Sequence, residues 1–367
     1  VDPRNTRTSS TSDIYAQLRP GTDIAFIGGL INYALQNNSI HQEYVVNYTN
    51  AAFLVAEGFS FSDGLFSGYD AERNRYDNGS WAYQRGEDGQ PLRDDSLEHP
   101  RSVYQLLKQH YARYTPDKVC EITGTAIQDY LHVARTFCST GRAGHAATIM
   151  YAMGTTQHTT GTQNVRSYAM LQLLLGNVGV AGGGINALRG ECNVQGSTDY
   201  ALLFHILPGY LNMPNFDDTT LAAYLEKWTP VTDDPQSANW WSNTPKYMTS
   251  LLKAFWGEAA TAKNDFNFDY LPKRSGNYSF LKLMERLQEG GFEGMVLMGT
   301  NPIVGAPDVR SVAAGLSNLT GLVAGDLGET EPSFFWKRPG VDPARIDTEV
   351  FLLPAASSVE KQGSISN

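Results

Sequence analysis

Between Gly176 and Gly196 the chain carries seven glycines in 21 residues, and among them stands a single arginine, Arg189. Glycine lets a backbone pass close to a bulky ligand and adopt turns closed to other residues. An isolated surface turn does not need so many. A lone arginine is ordinarily solvated or ion-paired at the surface, but here the glycine-lined approach argues that Arg189 points into a cavity. The run closes on the polar stretch Glu191-Cys192-Asn193-Val194-Gln195-Gly196.

Other turns combine small residues with side chains able to read a nucleotide. They are Asp2-Pro3-Arg4-Asn5-Thr6, Arg19-Pro20-Gly21-Thr22-Asp23, Gly154-Thr155-Thr156-Gln157-His158, Gly299-Thr300-Asn301-Pro302, Gly325-Asp326 and Glu360-Lys361-Gln362-Gly363. Asp, Asn and Gln suit a purine edge or a ribose hydroxyl, and small residues admit a pyrophosphate to the backbone. Spread over both halves of the chain, these turns predict nucleotide-like groups held at two sheet edges. Some chemistries are excluded. No Gly-x-x-x-x-Gly-Lys-Ser/Thr P-loop occurs, and the Gly176, Gly179, Gly182 series does not follow a strand, as a nicotinamide fingerprint would. His158 has no Ser or Cys at the local spacing that would suggest a nucleophile triad. Cys120, Cys138 and Cys192 lack metal-ligand spacing. They read as packed thiols or, for Cys192, a loop residue, so this chain alone builds no zinc or iron–sulfur site.

The elements that must position these groups follow from apolar spacing. Ala146–Met153, Met295–Met298, Gly321–Ala324 and Glu349–Leu353 read as buried parallel strands. Open α/β sheets bind ligands at the carboxyl ends of their strands, which is where the turns at Gly154, Gly299 and Gly325 fall. An apolar helix spans Ile24–Leu35, with Thr22 or Asp23 as its N-cap. Val103, Leu106, Leu107, Tyr111 and Tyr114 form a helical stripe before a stop at Thr115-Pro116. Ile127, Tyr130, Ala134 and Phe137 form another, and Val165, Ala169, Leu173 with Met170 and Leu174 a third, ended by Gly176-Asn177. Strands alternating with helices predict an α/β architecture with largely parallel sheets. Residues Asp63–Arg101 are polar and turn-rich and read as a hairpin-like excursion. Residues Leu207–Asn277, with Trp228, Trp240, Trp241 and Trp256, read as a long insertion packing its aromatics onto the domain surface.

The 367 residues suffice for two domains, each with its own core. With 41% hydrophobic and 18% charged residues the composition is that of a soluble globular chain. A net charge of −10 argues against nucleic acid as a partner, and no apolar run is long enough to span a membrane. The start, Val1-Asp2-Pro3-Arg4, has no initiator Met or signal peptide and looks like the tail of a strand begun upstream.

Taken in order, these motifs resemble the catalytic subunits of the dimethyl-sulfoxide-reductase superfamily, which hold a metal between two molybdopterin guanine dinucleotides. Within it the match is to respiratory and periplasmic formate dehydrogenases. It is carried by VDPRNTRTSS, RPGTDIAF, DGLFSGYDAE, YAMGTTQHTTGTQNVRSYAMLQLLLGNVGVAGGGINALRGECNVQGSTD, GTNP, TEVFLLPA and SSVEKQGSISN. The resemblance implies two αβα domains with mostly parallel sheets, each part of a larger fold. The first, residues 1–192, would lack its N-terminal part. The second, 193–367, would be incomplete and carry the insertion at about 207–277, leaving sheet edges and apolar faces for other parts to cover.

Residue by residue, the resemblance implies that Asp2, Pro3, Arg4, Asn5, Thr6, Gly21, Thr22 and Asp23 hold the guanosine end of one dinucleotide. Met153, Gly154 and Gln157 would lie against the same cofactor, with Gln195 a further cofactor contact. Asn301, Gly325 and Asp326 would serve the second dinucleotide, and Lys361 would approach its pterin. Arg189 matches the arginine that clamps the formate carboxylate. Molybdenum or tungsten is implied, with no metal ligand in this chain. A 4Fe-4S cluster would be held by the N-terminal part, and an iron–sulfur electron-transfer subunit would be the partner, in the periplasm. Formate dehydrogenase activity would then belong to the whole subunit, and this polypeptide alone would be inactive. Nitrate reductase, or a metal-free scaffold that keeps the fold, are the competing expectations.

Overall fold

The apolar stripes form as helices wherever their caps allow. In the computed structural model, which describes residues 1–62, 64–191, 193–232 and 237–366, α1 (Asp23–Gln36) buries Phe26, Leu30, Ile31, Ala34 and Leu35. Thr22 occupies its N-cap position, but the hydroxyl donates to the Arg19 carbonyl at 2.7 Å and caps nothing. The negative charge favoured at that helix end comes from Asp23 in the first turn. α2 (Val103–Tyr111) is capped by Ser102. Thr115-Pro116, read as a stop, is also a start: Thr115 accepts from the Lys118 amide and Pro116 opens α3 (Pro116–Thr123). Left-handed Gly124 closes that helix. α4 (Ile127–Cys138) and, further on, α5 (Gly161–Leu174) complete the helices around α1. Gly28 and Gly29 make this packing possible. A Cβ on Gly29 would stand 2.5 Å from the Tyr130 hydroxyl and 2.8 Å from Val119 Cγ2.

A short parallel sheet accompanies these helices. β1 (Ile149–Tyr151) pairs in parallel with β2 (Ile185–Ala187). β1 is shorter than the apolar run Ala146–Met153, because Met153 already begins the short helix Met153–Thr156. The glycine-rich run, read as a loop throughout, contains β2. Val1–Thr6 is not a strand tail; it is a loop whose Asp2 amide bonds the Ala16 carbonyl. The excursion is built of two small antiparallel pairs, Phe61–Ser62 with Leu65–Phe66 and Tyr69–Asp70 with Arg75–Tyr76; Asp63 lies outside the described residues. Cys138 is buried, donates to the Leu30 carbonyl at 3.5 Å, and burial pushes its thiol up to about 12. Cys120 is half-buried against the same core. Both are packed thiols; Cys192 lies outside the described residues. By internal contacts this unit runs Val1–Gly190 and a second one Glu191–Asn367.

The second unit has two parts. The insertion does not lay its aromatics on a neighbouring surface. It builds its own core from Leu207, Leu211, Leu221, Tyr224, Met248, Leu252, Phe268 and Leu271, with Trp228 and Trp256 half-buried against it. α6 (Leu221–Trp228) and α7 (Thr244–Trp256) are its main helices. Buried Asp218 ties it together, accepting from the Asn215 amide at 2.8 Å, Trp228 Nε1 at 3.0 Å and Lys227 Nζ at 3.0 Å. Burial alone would raise the Asp218 pKa; these donors outweigh it and hold the carboxyl below its ordinary range.

The other part is a parallel sheet. α8 (Phe280–Gln288) leads to β3 (Gly294–Met298), α9 (Val309–Gly315) to β4 (Gly321–Asp326), and a turn-rich segment to β5 (Glu349–Pro354). The strand order is β5-β4-β3, all parallel. Leu322 and Leu297 pack with Met284, Leu287, Ile303, Val312, Leu316 and Phe335 into one core. On the opposite face Val296 is 66% exposed, Met298 84%, Phe351 49% and Leu353 52%. Crossovers of one hand that advance in one direction put their helices on one face, so the other is bare within this unit. No described helix is long and apolar enough to cross a membrane.

Two stability predictions follow from these contacts. Asp218→Ala should destabilise the insertion by about 1–3 kcal/mol, read as lost hydrogen-exchange protection across Leu221–Trp228. Because the folded pKa is lowered, the carboxylate's contribution is full above the unfolded value near about 4. It is lost as pH falls through the lower folded value, so parent and variant should converge there. Gly183→Ala would place a Cβ 2.0 Å from the Asn177 carbonyl oxygen. Overpacking of that kind should cost about 1–3 kcal/mol in denaturant unfolding.

Candidate functional site

In the first unit the carboxyl ends of β1 and β2 lie side by side. The Leu188 amide donates to the Tyr151 carbonyl at 2.7 Å, carrying the ladder one residue beyond β2. Arg189 therefore leaves its strand next to the turn that begins at Ala152. Met153 Cε is 3.9 Å from where a Cβ on Gly190 would be, and Gln157 Nε2 donates to Met153 Sδ at 3.5 Å. Arg189, Met153, Gly154 and Gln157 thus share one edge. Arg189 is exposed, not enclosed in a cavity of its own unit, and its side chain has no hydrogen-bond partner among the described residues. His158 Nε2 lies 2.8 Å from the Gly154 carbonyl, a contact that fixes the turn.

The same turn is tied to the start of α1. Buried Thr155 shares a 3.1 Å hydroxyl contact with Tyr168 of α5, and Asn164 Nδ2 donates to the Thr155 carbonyl at 2.9 Å. Burial raises the Tyr168 pKa, the Thr155 contact lowers it, and the nearby Asp23 carboxylate raises it again. Asp23 opens α1, which packs against α5. Neither Tyr168 nor Thr155 stood out in the sequence, since a tyrosine in an apolar stripe reads as core. Gly21 sits at φ 82° with nothing within 4 Å of a Cβ.

Asp2–Thr6 is held as a separate small loop. The Arg4 amide donates to Asp2 Oδ1 at 2.8 Å, Tyr15 Oη to the Asp2 carbonyl at 3.1 Å, and Gln17 Nε2 to the Pro3 carbonyl at 2.9 Å. Thr6 accepts from the Ser9 amide and caps the short helix Arg7–Ser10. Asn5 has no side-chain partner, and no hydrogen bond joins this loop to Thr22 or Asp23 among the described residues.

In the second unit Asn301, Gly325 and Asp326 meet at the carboxyl ends of β3 and β4. The Gly299 amide donates to the Gly325 carbonyl at 2.8 Å. Asn301 Oδ1 accepts from the Val304 amide, and its Nδ2 donates to Glu331 at 2.6 Å. Asp326 accepts from the Leu327 amide at 2.7 Å and the Thr330 hydroxyl at 3.1 Å. Glu331 and Thr330 were missed by sequence reasoning; the Thr330–Ser333 capping box was the available signal. Gln195 is exposed in the short helix Val194–Asp199. The tail folds back beside it, the Ser366 amide donating to Asn193 Oδ1 at 3.0 Å and the Gly196 amide to the Ser366 carbonyl at 3.1 Å. Lys361 is exposed on that tail, without a side-chain partner among the described residues.

Open backbone and polar side chains occur together in these turns. Gly21, Gly154 and Gly299 leave open space where a side chain would stand, so a pyrophosphate can reach backbone amides. Asp, Asn and Gln side chains flank them for a base or ribose. Among the described residues no group of three or more His, Cys, Asp or Glu is placed to hold a metal ion.

Comparison with known proteins identifies the family. The molybdopterin oxidoreductase family matches residues 1–328. The whole chain is 51% identical to formate dehydrogenase 2 subunit alpha (cytochrome c-553) of Nitratidesulfovibrio vulgaris, covering 36% of that protein. It is 49% identical to the formate dehydrogenase subunit alpha of Megalodesulfovibrio gigas, again covering 36%. It is also 49% identical to the nitrate-inducible formate dehydrogenase major subunit of Escherichia coli, covering 37%. The chain therefore spans a little over a third of the length of these relatives. From the two glycine-lined strand edges and the match over residues 1–328, the chain belongs to the molybdopterin oxidoreductase family.

Proposed function

We propose that this chain is the central, cofactor-cradling part of a formate dehydrogenase catalytic subunit working with bis-molybdopterin guanine dinucleotide and molybdenum or tungsten. The observation that carries the reading is Arg189, which follows β2 at the edge that bears Met153 and Gln157 and has no side-chain partner among the described residues. In this reading residues 1–192 and 193–367 are the two dinucleotide-binding domains. Asp2 to Thr6 and Gly21 to Asp23 hold one guanosine, with Met153, Gly154 and Gln157 along that cofactor. Asn301, Gly325 and Asp326 hold the second dinucleotide, and Gln195 and Lys361 add contacts. When bound, the metal–pterin group supplies the two-electron acceptor chemistry by which formate becomes carbon dioxide and a proton.

The chain's own part is binding and orientation. Formate offers little beyond its carboxylate, and a charge-assisted contact from Arg189 is worth roughly 1.5–3 kcal/mol. The electrons leave by a 4Fe-4S cluster in the N-terminal part and an iron–sulfur subunit, in the periplasm. Identity to subunits named formate dehydrogenase across the whole chain supports formate as the substrate. Arg189→Ala in the complete subunit should lower kcat/KM for formate by about ten- to a hundredfold, with metal content unchanged. Steady-state kinetics near those of the parent would remove Arg189 from formate binding.

A further inference from the structure

We infer that Gln172, oriented by Asn177, is the positioning residue that sets the register of β1 and β2 and so decides where Arg189 stands. The inference rests on the reading of Arg189 as the carboxylate-binding group. Gln172 is fully buried in α5, where an apolar residue would be ordinary. Its single amide nitrogen donates to two carbonyls, Ala147 at 2.8 Å and Gly184 at 2.7 Å. Ala147 lies just before β1 and Gly184 just before β2. One side chain therefore grips the entrances of both strands at once.

The grip matters because the ladder is short. The two strands pair over three residues each, and a slip of one residue would turn every side chain to the other face. Beyond β2 the chain runs directly into Leu188 and Arg189. Such a slip at Gly184 would thus send the guanidinium away from Met153 and Gln157. Short parallel pairs hold their register weakly by themselves. The buried amide supplies what the ladder lacks.

Asn177, also fully buried, holds that amide in its donating orientation. Its Nδ2 donates to Gln172 Oε1 at 2.9 Å and to Thr140 Oγ1 at 3.1 Å, while its backbone carbonyl accepts from the Gly184 amide at 2.7 Å. Asn177 Oδ1 is buried with no partner among the described residues. An unsatisfied buried acceptor is costly, so the residue is held for its donor side. Gly183 admits the approach, since any Cβ there would collide with the Asn177 carbonyl.

The test uses the complete, cofactor-loaded subunit with Gln172→Leu, Gln172→Glu and Asn177→Ala. Leucine offers no donor, glutamic acid at most one, and Asn177→Ala removes only the orienting group. Gln172→Leu should raise KM for formate about tenfold while kcat changes less than about threefold, with Gln172→Glu and Asn177→Ala intermediate and metal and pterin content unchanged. A KM within about twofold of the parent at full cofactor content would overturn the inference. Loss of cofactor from all three variants would overturn it as well, making the amide pair a general element of the fold. Should only the Gln172 variants lose cofactor, Asn177→Ala carries the test by its KM. Arg189→Lys is measured alongside. If it raises KM and the other variants do not, only the positioning role fails; if it too leaves KM unchanged, the carboxylate reading fails first.

Discussion

A parallel strand cannot return to its neighbour through a tight turn; it needs a crossover of a dozen or more residues. In the first unit residues 152–184 form that crossover, and they hold the Met153–Gln157 turn, α5 and the first part of the glycine-rich run. The requirement has a chemical consequence. Because β1 and β2 point the same way, both carboxyl ends open on one edge, and residues more than thirty positions apart in sequence become neighbours. Arg189 and Gln157 belong to one edge for this reason alone. The buried Gln172 and Asn177 amides, and the glycines that let Asn177 approach, can be understood as what so short a ladder needs to hold its register.

The same constraint shapes the second unit and exposes one side of it. β3, β4 and β5 advance in one direction, so their connections lie on one face and form a core there. Parallel sheets are ordinarily covered on both faces. Here Met298 and Leu353 face outward within the unit, while Asn301, Gly325 and Asp326 line the carboxyl edge between the covered and uncovered sides. Asn301 and Asp326 already spend part of their capacity on the Val304 and Leu327 amides and on Glu331 and Thr330. These contacts hold the side chains in place at the edge, which is what positioning for a ligand requires.

Much of the helical framework was legible because amphipathic stripes and caps are local. The Ile24–Leu35 stripe, the Ile127–Phe137 stripe and the last three strands match the elements that form. Local signals failed where distant contacts decide. Ile185-Asn186-Ala187 has no apolar run of its own and is a strand only because β1 pairs with it. Ala146–Met153 reads as one strand because nothing local shows the backbone turning into a helix at Met153. The aromatics of the insertion lie between irregular turns, so no period revealed that Tyr224, Met248 and Phe268 share a core. In the candidate site, Asp23, Gln157, Asn301 and Asp326 were visible as polar residues after small ones. Tyr168, Gln172 and Glu331 were not, since their roles arise from carbonyls and carboxylates far off in sequence.

The claim most exposed to test is that this chain cradles a metal–pterin cofactor. Elemental analysis for molybdenum, tungsten and iron, with a pterin assay, on the protein purified from its native source addresses it directly. The account predicts molybdenum or tungsten in stoichiometric amount together with pterin. Protein free of both metals and of pterin would contradict it, and the strand-edge residues would then have to be explained as a scaffold that retains the fold without the chemistry.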